Sequence, residues 1–91
     1  MFDNLREARN QWEKGLTVVL AIPIIVGDWR KLFVILKTSG GDFRLHRYMK
    51  LGDGWDVSVD VACDGMDVCI RRIHEDKDVR DSYLKYLGEE P

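Results

Sequence analysis

The chain has 91 residues, of which 45% are hydrophobic and 33% charged, with 14 Lys and Arg against 16 Asp and Glu. This length predicts a single domain over residues 1–91. The ordinary apolar fraction argues against intrinsic disorder. The net charge of -2 argues against a protein that binds nucleic acid through bulk positive charge.

The two cysteines and the longest apolar segment limit the location and the chemistry of the protein. Cys63 and Cys69 are too few for a disulfide-stapled secreted domain and lack further ligands for a zinc site. We therefore expect free thiols, no metal and no cofactor. The longest apolar run, residues 16–26, is shorter than the ~20 residues that span a bilayer. We expect a cytoplasmic protein without a membrane partner.

Hydrophobic periodicity and turn residues predict an α+β fold with an N-terminal helix, a five-stranded antiparallel meander and a C-terminal helix. The N-terminal helix covers residues 3–14, with Asp3 or Asn4 as its cap and Gly15 at its end. The other predicted elements are strands at 16–26, 30–38, 43–51, 55–61 and 66–73, followed by a helix at 76–87. Pro23 disfavours a helix in the first of these strands and places that strand at a sheet edge.

Three glycine-containing turns predict which residues face each other across the sheet. They lie at Gly40-Gly41, around Asp53 and at Asp64-Gly65. The cross-strand pairs that they predict are Phe33–Tyr48, Ile35–His46, Leu36–Leu45, His46–Asp60, Met49–Val57 and Val61–Val68. Arg47 does not fit its apolar face in this arrangement, which indicates a position at the margin of the face or a β-bulge beside it.

These registers place an apolar patch with a basic rim on one face of the sheet. The apolar residues are Phe33, Ile35 and Tyr48, and the rim consists of Lys31, Lys37, Arg44, His46 and Lys50. A contiguous exposed apolar area is typical of an interaction surface, and aromatic residues beside Arg are typical of its centre. The first strand is apolar on both sides and extends the patch. The alternative is that a helix covers each face of the sheet, in which case the patch belongs to the core.

No spacing in the chain predicts a catalytic site. The registers place Cys69, Asp60 and His46 in one row, but the carboxylate would lie between the thiol and the imidazole. A nucleophilic cysteine needs the imidazole next to its sulfur. We therefore interpret His46 and Asp60 as a solvated pair and predict a protein that is not an enzyme.

The predicted function is a non-catalytic protein–protein interaction module, such as an adaptor, an inhibitor or a small subunit. It would bind another protein, or itself as a homodimer, through the sheet face or the edge at the first strand. The first alternative is single-stranded nucleic-acid binding, because an aromatic sheet face with a basic rim can stack bases. The second alternative is an acidic inhibitor of a nucleic-acid-binding protein from a phage or mobile element, based on five acids and no base in residues 52–68.

Overall fold

Four strands form an antiparallel sheet that lies between helices in the computed structural model, which describes residues 1–26 and 29–81. The elements are α1 (Leu5–Trp12), β1 (Thr17–Val26), β2 (Trp29–Lys37), β3 (Phe43–Leu51), β4 (Gly54–Cys63) and α2 (Met66–Glu75). The strands lie in the order β1-β2-β3-β4, so β1 is an edge strand, as Pro23 predicts. The α+β fold with an N-terminal helix and an antiparallel sheet is confirmed. Within the described residues the sheet has four strands and not five.

The start and end of α1 follow the sequence signals. The side-chain oxygen of Asn4 accepts a hydrogen bond from the backbone N–H of Glu7 at 2.9 Å, which caps the first turn. Gly15 follows the helix with a φ of 80°, a left-handed conformation that favours glycine. Before the helix, Phe2 forms two backbone hydrogen bonds of 2.8 Å with Trp55. The N-terminus therefore lies along part of the outer edge of β4.

Residues 66–73, predicted as a fifth strand, belong to α2. Gly65 has an extended backbone, with φ -170° and ψ 172°, and it is the N-cap of this helix rather than part of a hairpin turn. The buried residues of α2 are Cys69 and Ile73, whose spacing of four is the period of a helix. The predicted pairing of Val61 with Val68 therefore does not occur, and α2 packs against the sheet.

The register between β2 and β3 differs from the predicted one by a single residue. Leu32 lies opposite Tyr48, and Phe33 lies opposite Arg47. The connection spans residues 38–42 rather than a two-residue turn, and it is held by a 2.8 Å hydrogen bond from the Thr38 N–H to the Asp42 carbonyl. A shift of one residue moves side chains to the opposite face. Phe33 and Tyr48 consequently lie on different faces of the sheet.

The register between β3 and β4 agrees with the prediction over only half its length. Next to the turn, Leu51 pairs with Gly54 and Tyr48 with Val57, so the predicted Met49–Val57 pair is wrong. A β-bulge between Arg47 and Tyr48 then shifts the register by one. Beyond it His46 lies opposite Asp60, as predicted, and the bulge occurs where Arg47 indicated an irregularity.

Each face of the sheet carries its own hydrophobic core. The residues buried on the α1 side are Ala8, Leu32, Val34, Leu36 and Tyr48. The residues buried on the α2 side are Phe33, Ile35, Leu45, Cys63, Cys69 and Ile73. The alternative in which a helix covers each sheet face is therefore the one that the structure shows.

The C-terminal helix that the sequence predicts at residues 76–87 is present over its described part. Residues 77–81 are helical, and the Asp76 carbonyl accepts a hydrogen bond from the Arg80 N–H at 3.1 Å. The remaining predicted residues, 82–87, lie outside the described residues. No helix within residues 1–26 and 29–81 is long and apolar enough to cross a membrane.

Candidate functional site

The apolar patch predicted on one sheet face does not form. Phe33 and Ile35 are buried beneath α2, with exposures of 3% and 0%. Tyr48 is fully buried on the α1 side. The physical reason is the register of β2 and β3, which differs by one residue from the predicted register. The prediction that these three side chains share an exposed surface is wrong.

The basic residues of the predicted rim are likewise dispersed. Lys31 binds Asp78 on the α2 side at 2.5 Å, whereas Arg44 pairs with Asp60 on the α1 side. Lys37 lies above the Phe43 ring, with its Nζ atom 5.6 Å from the ring centroid, and Lys50 is half-buried. The sheet therefore presents neither a common basic rim nor an aromatic stacking platform within residues 1–26 and 29–81.

A chain of polar side chains on the α1 side joins the helix to the sheet. Its members, in the order of their contacts, are Arg9, Glu13, Tyr48, His46, Asp60 and Arg44. The Tyr48 hydroxyl donates to Glu13 Oε2 at 2.9 Å and lies 3.1 Å from His46 Nδ1. On the other side of the ring, His46 Nε2 lies 3.1 Å from Asp60 Oδ1. Among the described residues, no buried side-chain nitrogen or oxygen lacks a hydrogen-bond partner.

Burial determines the protonation of this polar chain. Burial lowers the pKa of His46, whereas the nearby Asp60 acts in the opposite direction. The effect of burial is the larger one, and it keeps the imidazole neutral near neutral pH. Burial also raises the pKa of Tyr48, and the neighbouring Glu13 carboxylate acts in the same direction. A shifted pKa indicates a functional site when the group faces a cleft. Here the His46 and Tyr48 side chains are buried within the protein, so this chain of polar side chains serves to hold α1 on the sheet.

The row of Cys69, Asp60 and His46 that the predicted registers imply does not form. The pair of His46 and Asp60 is confirmed, although His46 is 1% exposed and not solvated. Cys69 lies on α2, on the opposite side of the sheet. The sequence reasoning missed Glu13 and Arg9 as members of the network. Their spacing of four residues, from α1 to the residue at its C-terminal cap, is the only sequence signal that relates them to each other.

Asp76 forms a second polar centre, on the α2 side. Its carboxylate binds Arg47 Nη1 at 2.9 Å and Lys31 Nζ at 3.4 Å, and it accepts the backbone N–H of Asp78 at 2.9 Å. Burial alone would raise the pKa of Asp76, but Arg47 and Lys31 hold it below its usual value. This carboxylate therefore caps the helical residues 77–81 and fastens them to β2 and β3.

The two cysteines are free thiols that face each other within the α2 core, as expected. Burial and a hydrogen bond to Cys63 raise the pKa of Cys69 to about 12. A thiol with such a pKa is almost entirely protonated at neutral pH and is a poor nucleophile. The pair is therefore a packing element of the core.

Neither of two concave regions that the described residues line has the features of a ligand site. The larger, about 390 Å³, is an open groove lined by Leu5, Arg6, Arg9, Asn10 and Glu13. The smaller, about 220 Å³, lies between the sheet and α2, and its Arg47 and Asp76 side chains bind each other. Ligand pockets are usually enclosed and lined by convergent polar groups that remain free to bind. No group of three or more potential metal ligands occurs within residues 1–26 and 29–81.

The outer edge of β1 is an exposed, apolar part of the described chain. This ten-residue strand contains no charged residue. Its exposed large side chains are Val18, Val19, Leu20 and Ile25, and Ile25 is 70% exposed. Val19 is the extra residue of a β-bulge, because Val18 pairs with Leu36 whereas Leu20 pairs with Ile35.

The backbone of β1 presents hydrogen-bonding groups to the outside. In an antiparallel ladder a residue directs both its N–H and its carbonyl either toward the neighbouring strand or away from it. Pro23 has no N–H, and it is tolerated where that group would point away from the sheet. Because this orientation repeats every second residue, the N–H groups of Ala21 and Ile25 also point away from β2. These two donors flank the Pro23 ring.

Comparison with known proteins yields no match to this chain, whether with protein-family models, with curated proteins or with solved structures.

Proposed function

We propose that the chain is a non-catalytic protein-interaction module, an adaptor or small subunit, that binds an extended strand of a partner protein along the outer edge of β1. The observation that supports this most directly is an edge strand of ten residues without a charge, with Ile25 70% exposed. The chemistry of the strand defines its partner. An uncharged, apolar extended segment can cover these side chains and accept hydrogen bonds from the outward N–H groups.

The exposed edge has few of the features that usually prevent pairing with another chain. Edge strands of soluble proteins are commonly short, charged or twisted by bulges, because an open edge is a template for another strand. In β1 only the Val19 bulge and the Pro23 ring interrupt the edge. An apolar strand that is this exposed indicates an interaction site.

The polar groups of the protein support a role without catalysis. The two polar centres, around His46 and around Asp76, are buried and internally paired. The thiol of Cys69 is buried, and its pKa is raised to about 12. A catalytic site needs a base, an acid or a nucleophile in contact with a substrate-sized cleft. In the two grooves that described residues line, the carboxylates of Glu13 and Asp76 are each paired with an arginine.

The test compares capture of partner proteins by the full chain and by three variants. Ala21→Pro removes an outward donor, and Ile25→Lys places a charge on the edge. Leu51→Lys is the control, because Leu51 is exposed to a similar degree as Val19 but lies on β3. We expect a partner that binds the unmodified chain and the Leu51 variant but not the two β1 variants. Direct titration of that purified partner should show affinity at least about tenfold weaker for Ala21→Pro.

Two outcomes would contradict the proposed function. The first is a partner that binds all four proteins equally, which would place the interaction elsewhere on the surface. The second is an enzymatic activity that survives in the β1 variants. Circular dichroism of each variant verifies that the change has not unfolded the protein.

A further inference from the structure

The proposed function does not specify which strand pairs with the outer edge of β1. The sequence of β1 limits which strands can pair there. We infer that the occupant is the β1 strand of a second copy of this chain, antiparallel to the first, with the two-fold axis at Ala21. The inference depends on the proposed function, because it assigns a partner to the same edge. It predicts a continuous eight-stranded sheet, a size within the usual range.

Two-fold pairing at Ala21 uses the outward backbone groups of this residue. An antiparallel pair of residues that face each other can exchange two N–H···O=C hydrogen bonds. At the axis, Ala21 of each copy would donate to Ala21 of the other. The same patch on both copies then forms the interface, which is the arrangement found in most homodimers.

Pro23 sets the register of this pairing. A two-fold axis at Pro23 would place the two proline rings against each other, where neither residue has an N–H to donate. With the axis at Ala21, residues equally distant from Ala21 face each other, so Pro23 faces Val19. Val19 is the bulged residue, where the regular ladder is already interrupted. The two irregularities of the edge thus coincide instead of breaking the ladder at two separate places.

The same register covers the exposed side chains of β1. Because the bulge adds one residue, Ile24 faces Thr17 of the other copy beyond it, so the paired segment covers residues 17–24. Three of the four exposed large side chains fall within this segment, Val18, Val19 and Leu20, and Ile25 lies directly at its end. An axis at Ile25 would instead leave residues 18–20 outside the interface. Burying apolar surface contributes about 25 cal/mol per Å², which favours the axis at Ala21.

Charge does not oppose the association of two copies. Residues 17–26 contain no charged side chain. The charged residues on the neighbouring strand are Arg30, Lys31 and Lys37, which pair with Ile25, Ile24 and Thr17. Equivalent positions on the two β2 strands would be three strand spacings apart, about 14 Å. This exceeds the screening length of about 8 Å at physiological salt.

Single cysteines on β1 test the register in the full chain. We expect Ala21→Cys to form a covalent dimer rapidly with a short bismaleimide, because Ala21 faces its own copy. Pro23→Cys and Ile25→Cys are matched variants on the same strand. In the inferred register the two copies of Ile25 are about 27 Å apart and should not be linked. The unmodified chain, whose two cysteines are buried, gives the background.

Faster linking of Pro23→Cys or Ile25→Cys than of Ala21→Cys would overturn the inferred register. Sedimentation equilibrium of the unmodified chain, Ala21→Pro and Leu51→Lys then tests the dimer itself. We expect Ala21→Pro to weaken association by on the order of tenfold or more and Leu51→Lys to leave it unchanged.

The failure of this inference is distinguishable from the failure of the proposed function. A monomeric chain with no linking at Ala21, together with a partner protein whose binding is lost in Ala21→Pro, refutes the second copy and retains the interaction edge. If neither self-association nor partner binding depends on Ala21, both proposals are wrong.

Discussion

Glu13 and His46 contact the same hydroxyl group, that of Tyr48. Glu13 Oε2 lies 2.9 Å from the hydroxyl oxygen and His46 Nδ1 lies 3.1 Å from it. The hydroxyl donates its one hydrogen to Glu13, so its oxygen can only accept a hydrogen bond from the imidazole. The protonation state of the ring therefore decides whether Nδ1 and Nε2 both donate, to Tyr48 and to Asp60, or only one of them does. The attachment of α1 to the sheet is therefore linked to pH.

We predict that the protein becomes less stable as the pH falls below about 6.5. Burial lowers the pKa of His46 in the folded state, so the unfolded chain takes up a proton before the folded chain does. The groups that face the imidazole are Asp60, Arg44, Glu13, Tyr48 and Trp12. Thermal unfolding midpoints between pH 7.5 and 5 should fall for the unmodified chain. They should change less for His46→Gln, which cannot titrate in this range. A midpoint that rises on acidification would show that Asp60 outweighs burial.

We also predict that removing the Tyr48 hydroxyl destabilises the fold by about 1–3 kcal/mol, since its buried partners lose a hydrogen bond. The measurement is the urea unfolding free energy of Tyr48→Phe. A double-mutant cycle with Glu13→Gln isolates the interaction between the two side chains. We expect the two changes together to cost less than the sum of the separate changes. Strict additivity would mean that the hydrogen bond from Tyr48 to Glu13 contributes nothing to stability.

The sequence predicted the local features of this fold better than its registers. Asn4, Gly15 and Pro23 act through their own backbone and side-chain geometry, and the cap, the helix end and the edge strand they predict are all present. The connection between β2 and β3 depends on hydrogen bonds across five residues, among them Thr38 and Asp42, which glycine positions do not reveal. A one-residue difference in that register placed Phe33 and Tyr48 on opposite faces of the sheet, where both are buried.

Residues 66–73 show the same limit of prediction from local sequence, because they form a helix and not the predicted strand. Val68 and Ile70 alternate in the manner of a strand, whereas Cys69 and Ile73 follow the period of a helix, and local periodicity permits both readings. The tertiary structure decides between them. The α2 side of the sheet carries Phe33, Ile35 and Leu45, and a helix covers this face while a fifth strand would leave it open.

We predict that Asp76→Asn lowers the unfolding free energy by about 3 kcal/mol, because Arg47 and Lys31 lose a buried counter-ion. Asparagine still caps a helix, so the variant removes the charge and retains the cap. Asp78→Asn is the control. It affects a more exposed carboxylate, 29% exposed against 5% for Asp76, and should cost less than about 1 kcal/mol.

The effect of Asp76 also has its own pH range. Its pKa is lowered in the folded state, so its stabilisation is present above the unfolded value near 3.9 and is lost as the pH falls through the folded value. This acid range is separate from that of His46. Equal unfolding free energies for Asp76→Asn and Asp78→Asn at neutral pH would contradict the role assigned to Asp76.

The last prediction concerns the thiols in the α2 core. Cys69 is fully buried with its pKa raised to about 12, and Cys63 is 7% exposed, so neither should react with a disulfide reagent in the folded protein at pH 8. Both should react in concentrated guanidinium without added reductant. Under these conditions Cys69→Ala should show one reactive thiol, whereas the unmodified chain should show two. Rapid reaction before unfolding would show that the core opens, and a requirement for reductant would show that the two sulfurs are bonded.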